Sequence, residues 1–189
     1  MDQEQLYVRF KEKAELLSAE VYRMTSFAQA FGLLAGLYHQ FGLCYGGPLK
    51  TAVVCPPWLE RDQLAAAVTA GGGEILANIS GEGEKALIGI AGADWAIAET
   101  GTLVQDATDV CLRMVISLPL ISIIFASTAS LVPDLNSALN RYAGAMPGYL
   151  TFITGPSRTA DIERVLTIGV HGPERLIAIF VDREEGGGG

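Results

Sequence analysis

The stretch "VISLPLISIIFASTASLV", residues 115–132, carries no charge over eighteen residues. Such a run is either a membrane span or a strand at the centre of a core. Pro119 and five Ser or Thr hydroxyls interrupt it and Asp134 follows closely, groups that need partners a bilayer does not offer. It is therefore read as a buried strand, "ISIIFAS", followed by a turn. A strand apolar on both faces belongs in a parallel sheet covered by helices on each side. This one segment already directs the chain toward an α/β architecture.

The flanking sequence supplies the helices. Leu6, Phe10, Leu17, Val21 and Met24 lie near helical spacing among Glu and Lys, which predicts an amphipathic helix over 4–24. Phe27, Phe31, Leu34, Tyr38 and Phe41 predict a second, capped by Gly42. "CYGGPLK" breaks the pattern, so residues 1–45 read as an N-terminal helical arm and 46–185 as one α/β unit. After it, "TAVVCPP" reads as a strand, "WLERDQLAAAVTAGGG" as a helix and "VPDLNSALNRYAG" as another. "YLTFIT", "TADIERVLTIG" and "RLIAIFVD" read as strand, helix and strand, and the glycines of 186–189 as a flexible tail. The expected fold is three-layered, a mostly parallel sheet with helices on both faces. With 189 residues, half of them apolar, one domain can bury a full core.

Charge and cysteines exclude several functions. Twenty-one acidic against 13 basic residues give −8, which repels phosphate backbones and argues against nucleic-acid binding. Cys44, Cys55 and Cys111 are too few and too scattered for a disulfide framework or a four-cysteine cluster. The charged N-terminus has no apolar h-region, so the chain reads as cytoplasmic.

Two stretches could carry chemistry. In "TGPSRTADIE", residues 154–163, a helix starting after a strand would present free N–H groups and a positive dipole end. Gly155 would admit a ligand close to the backbone, Pro156 stiffens the turn, and Ser157 or Thr159 can cap or donate. Arg158 offers a planar fork for a carboxylate or phosphate, with Asp161 in the first turn. The plainer reading is a turn with Thr159 as N-cap. In "AIAETGTLV", residues 96–104, Glu99 shares a strand face with Trp95 and Ile97, so partial desolvation would suit it to acid/base or nucleophilic work. Thr100, Gly101 and Thr102 form the adjoining turn and complete that candidate; the plainer reading has Glu99 pointing into water. His171, in "GVHGPERL", would lie across a helix of roughly 15 Å from the GPSRT loop, out of reach unless a second subunit joins them. His39 reads as a packing residue on its helix.

"GADWAIAETGTLV", "TFITGPSRTADIE" and "GVHGPERL", occurring in this order, resemble the LUD (lactate utilization) domain family over about residues 91–182. The resemblance implies a fold similar to the NagB, ribose-5-phosphate isomerase and CoA-transferase group. It also implies a part in oxidising L-lactate to pyruvate beside two iron–sulfur partner proteins, which would hold the clusters while this chain binds a small organic acid without a redox cofactor or metal of its own. Homo-oligomerisation is compatible with it. The chain departs from the family where Ser122 follows "SLP" in place of a His. The alternative function is a CoA-transferase-like enzyme in which Glu99 forms an acyl intermediate.

Overall fold

The computed structural model describes residues 1–160, 166–168 and 172–182. Asp2 opens α1 (Gln3–Leu16) with a reciprocal cap: its carboxylate accepts from the Gln5 N–H, and the Gln5 side chain accepts from the Asp2 N–H. The helix stops there because Ser18 turns into the left-handed region at φ 68, and Glu20–Met24 is strand β1. The helix expected over 4–24 is therefore a helix and a strand. Val21 is buried under either periodicity, so spacing did not separate them. Ser26 caps α2 (Phe27–Tyr45), whose His39 is exposed rather than packed.

Strand and helix then alternate as β2 (Leu49–Val53), α3 (Arg61–Ala70), β3 (Gly73–Ile75), the single turn α4 (Ile79–Glu82) and β4 (Ile88–Gly92). A hairpin of β5 (Trp95–Ile97) and β6 (Thr102–Asp106) precedes α5 (Val110–Ser117) and β7 (Ile121–Ser127). The chain continues through β8 (Leu131–Val132), α6 (Leu135–Asn140), β9 (Leu150–Ile153), β10 (Arg158–Ala160), β11 (Leu166–Ile168) and β12 (Arg175–Val181).

Six strands form one parallel sheet in the order β1-β12-β7-β4-β2-β3. The uncharged run supplies β7 at its centre, with its first six residues buried. Helices α2 and α3 cover one face, where Leu34, Phe41, Leu64 and Val68 meet Ile90, Ile123, Phe125 and Ile179. Helices α1 and α5 cover the other, packing Phe10 and Val115 with Ile124, Ala126 and Phe180. Tyr38 is fully buried in the first layer, and its hydroxyl is satisfied by Thr51 Oγ1 at 2.7 Å. Among the described residues no helix is long and apolar enough to cross a membrane.

A second sheet, β8-β5-β6-β9, joins the α1 side through Ala96, Ala98, Leu103 and Leu131. Two expectations change here. β9, from "YLTFIT", pairs antiparallel with β6 instead of entering the parallel sheet. The helix expected in "TADIERVLTIG" is not formed at its ends: Arg158–Ala160 and Leu166–Ile168 pair as an antiparallel ribbon. Leu166 and Ile168, two residues apart, share a face in a strand and not in a helix, and the pairing with Arg158–Ala160 agrees with the strand period. Thr159 accordingly starts no helix.

Candidate functional site

The two stretches singled out in the sequence meet. A chain of hydroxyls runs from Thr100 Oγ1 to Thr102 Oγ1 at 2.7 Å and on to Thr154 Oγ1 at 2.8 Å. It links the β5–β6 turn to the loop after β9. Gly101 (φ +67) and Gly155 (φ +89) both lie in the left-handed region against the end of α1. A Cβ on Gly101 would stand 2.4 Å from Ala14 N, and one on Gly155 2.8 Å from Leu17 O. The close approach expected at Gly155 is thus made to the chain's own helix, where a ligand had been anticipated.

Glu99 sits at the hairpin tip, with its N–H bonded to Pro133 O at 3.1 Å. It is exposed, so the desolvation expected from Trp95 and Ile97 does not occur within this chain. Ser157 N–H donates to Pro173 O at 2.8 Å, and a Cβ on Gly172 would lie 3.0 Å from Ser157 Cβ. Gly172 and Pro173 therefore abut the Gly-Pro-Ser loop. The ribbon of β10 and β11 returns the chain to its start, as a ten-residue helix would not. Arg158 and Thr159 are placed by their backbone in β10; Asp161 and His171 lie outside the described residues.

Between these loops and α5 runs a cleft of about 360 Å³, lined by Arg113, Ser117, Thr151, Thr154, Gly155, Ser157 and Pro173, among others. Arg113 is fixed in it: Nη1 donates to the carbonyls of Ala107 at 2.6 Å and Thr108 at 3.1 Å, and the guanidinium lies 5.0 Å from the Tyr149 ring centre. Thr151 Oγ1 is buried with no partner among the described residues, an acceptor and donor left over beside this space. The cleft lies near the amino ends of β7 and β12, since Ser117 and Pro173 fall within a few residues before them.

A second hollow, of about 570 Å³, opens past the carboxyl ends of β4 and β7. Sheet connections diverge between neighbours β2 and β4, one leading outward to β3 and the other back toward β7. Crevices of α/β sheets form at such a divergence. Asp94 is held there by two donors, the Asp106 N–H at 2.5 Å and the Tyr142 hydroxyl at 3.0 Å. Burial, and then the Asp94 carboxylate, push the Tyr142 phenol well above its ordinary value, so it keeps its proton for Asp94. Arg141 lies 4.9 Å over the Trp95 ring centre, a contact of about 0.5–1 kcal/mol at an exposed site. Sequence reasoning treated Trp95 only as a neighbour of Glu99 and missed Asp94, Arg141 and Tyr142. The last two sit in "NRYAG", which reads only as a helix end. Among the described residues no three His, Cys, Asp or Glu side chains group as metal ligands do.

The fold and clefts define a parallel-sheet α/β protein with a small sheet built onto one face. The chain belongs to the LUD domain family, whose model matches residues 7–181. It is 39% identical over 105 residues to a lactate utilization protein C of Halalkalibacterium halodurans, covering 52% of this chain and 46% of that protein. The Bacillus pumilus protein of that name is 35% identical over 107 residues (53% and 45%), and the Shouchella clausii one 31% over 150 residues (77% and 58%). The chain therefore spans about half the length of the first of these relatives. A crystal structure of a DUF162 family protein from Deinococcus radiodurans superposes with a TM-score of 0.60 at 21% identity, over 96% of this chain and 99% of that one, and shares the fold.

Proposed function

We propose that this chain serves lactate utilization as a subunit that binds a small organic acid and leaves electron transfer to iron–sulfur partner proteins. The observation that carries the reading is LUD family membership together with relatives named lactate utilization protein C. Locally, the 360 Å³ cleft beside Arg113 supports it. A guanidinium tethered through one nitrogen to two carbonyls stands ready for a carboxylate, because its fork geometry matches two oxygens. Arg158 follows Ser157 of the cleft wall in the sequence and is proposed as a second cation for the acid. Cys44, Cys55 and Cys111 are free thiols, fewer than a four-cysteine cluster needs, which is compatible with clusters held by partner proteins.

Acyl transfer through Glu99 has less support, since Glu99 is exposed and lines neither cleft. The deciding experiment removes this chain from its native host and follows growth on L-lactate and lactate-dependent dye reduction by the purified complex. Loss of both, restored by the intact chain, is the expected result. Undiminished lactate oxidation without the chain would overturn the reading.

A further inference from the structure

We propose that the 570 Å³ hollow at the carboxyl ends of β4 and β7 is a second ligand site, and that it takes a neutral ligand bearing vicinal hydroxyls, a sugar or nucleoside. It is separate from the acid-binding cleft, which lies at the other ends of the strands. The size fits, because sites for small molecules run from about 300 to 1,000 Å³, and a three-carbon acid would fill little of it.

The chemistry comes from which groups remain to be paired. Asp94 spends Oδ2 on the Asp106 N–H and the Tyr142 hydroxyl; among the described residues its Oδ1 has no donor. Asp106 lines the same space and takes the Thr108 N–H at 3.0 Å on Oδ1. Two carboxylates therefore face the hollow as acceptors, and Arg141 faces it as a donor. An ammonium can only donate and would meet the guanidinium; a phosphate can only accept and would meet the carboxylates. A hydroxyl does both, and two adjacent hydroxyls can bridge a carboxylate while accepting from Arg141. Trp58 and Trp95 both line this space; Arg141 already lies over the Trp95 ring, so the Trp58 indole offers the apolar wall on which a sugar's C–H face or a heteroaromatic base packs. Tyr142 fixes Asp94 from behind, so the acceptor is in place before the ligand arrives.

Calorimetric titration of the intact chain with D-ribose, adenosine and 2′-deoxyadenosine tests the assignment. Saturable binding of ribose or adenosine is expected. Ribose and adenosine binding alike identifies the sugar as the recognised part, and adenosine alone identifies a nucleoside. Asp94→Asn, and separately Asp106→Asn, should each weaken binding at least about tenfold, as loss of a charge-assisted hydrogen bond does, with the thermal unfolding midpoint of each variant confirming that it folds. No binding of ribose or adenosine to the wild type would overturn the proposal. So would 2′-deoxyadenosine binding as well as adenosine, or binding unchanged in both folded variants. The lactate reading is tested through lactate oxidation and is untouched by either outcome.

Discussion

At the scale of single residues, glycine and arginine do different work in the region that the motifs pointed to. Gly101 and Gly144 both have positive φ, at +67° and +96°, but Gly101 faces Ala14 whereas nothing lies within 4 Å of a Cβ on Gly144. Gly144→Ala should then cost only the left-handed backbone term, about 1–2 kcal/mol. Gly101→Ala should cost clearly more, since the end of α1 has to move; urea unfolding of the two variants side by side measures the difference. For function, Arg158→Ala should weaken lactate or pyruvate binding by about 1.5–3 kcal/mol, the worth of hydrogen bonds to a charged group. Calorimetric titration reads it, and unchanged affinity in a folded variant would remove Arg158 from the acid site.

At the scale of elements, caps and turns hold the outer layer. Asp134 starts α6 by accepting the Ser137 N–H at 2.7 Å, and Asp106 accepts from Thr108 as the chain leaves β6. The Ser137 N–H holds Asp134, and hydrogen bonds from Thr108 hold Asp106, below the ordinary aspartate value. A lowered folded value means fewer protons bound in the native state. The stabilisation is therefore complete above the unfolded value of about 3.9 and is lost as pH falls through the lower folded one. Urea midpoints should drop on acidification through that window, and Asp134→Asn, which keeps a capping oxygen, should flatten part of the fall. Elements were legible where one periodicity excluded the other. β7 was readable because no helix of its length would run uncharged through Pro119, and α2 because five aromatic or leucine side chains fell on one face. The start of β1 and the ribbon of β10 and β11 were not, because Val21 suits either period and both strands are set by pairing with other segments of the chain. The candidate site suffered likewise. The motif loops were found, but their meeting through Thr102 and Thr154 depends on β6 pairing with β9, and Asp94 with Tyr142 depends on α6 folding back over β5.

At the scale of the whole molecule, the first strand is paired with the last. Glu20 lies opposite Ile177, and the Glu20 carboxylate receives Arg175 Nε at 2.9 Å and Nη2 at 2.7 Å. Arg23 binds Asp182 at 2.9 Å and also Glu4, tying α1 to the same edge. Phe10, 1% exposed, sits edge-on to Phe180 with ring centres 4.9 Å apart. Phe10→Ala should cost about 3–5 kcal/mol, read from the urea midpoint. The same closure bears on synthesis. While the ribosome is still short of Arg175–Val181, β1 lacks the strand it pairs with and the aromatic face of α1 has no Phe180 to cover, so both elements are secured only after β12 has been made. Long-range pairing of this kind slows folding, and that apolar surface must stay sheltered until β12 emerges.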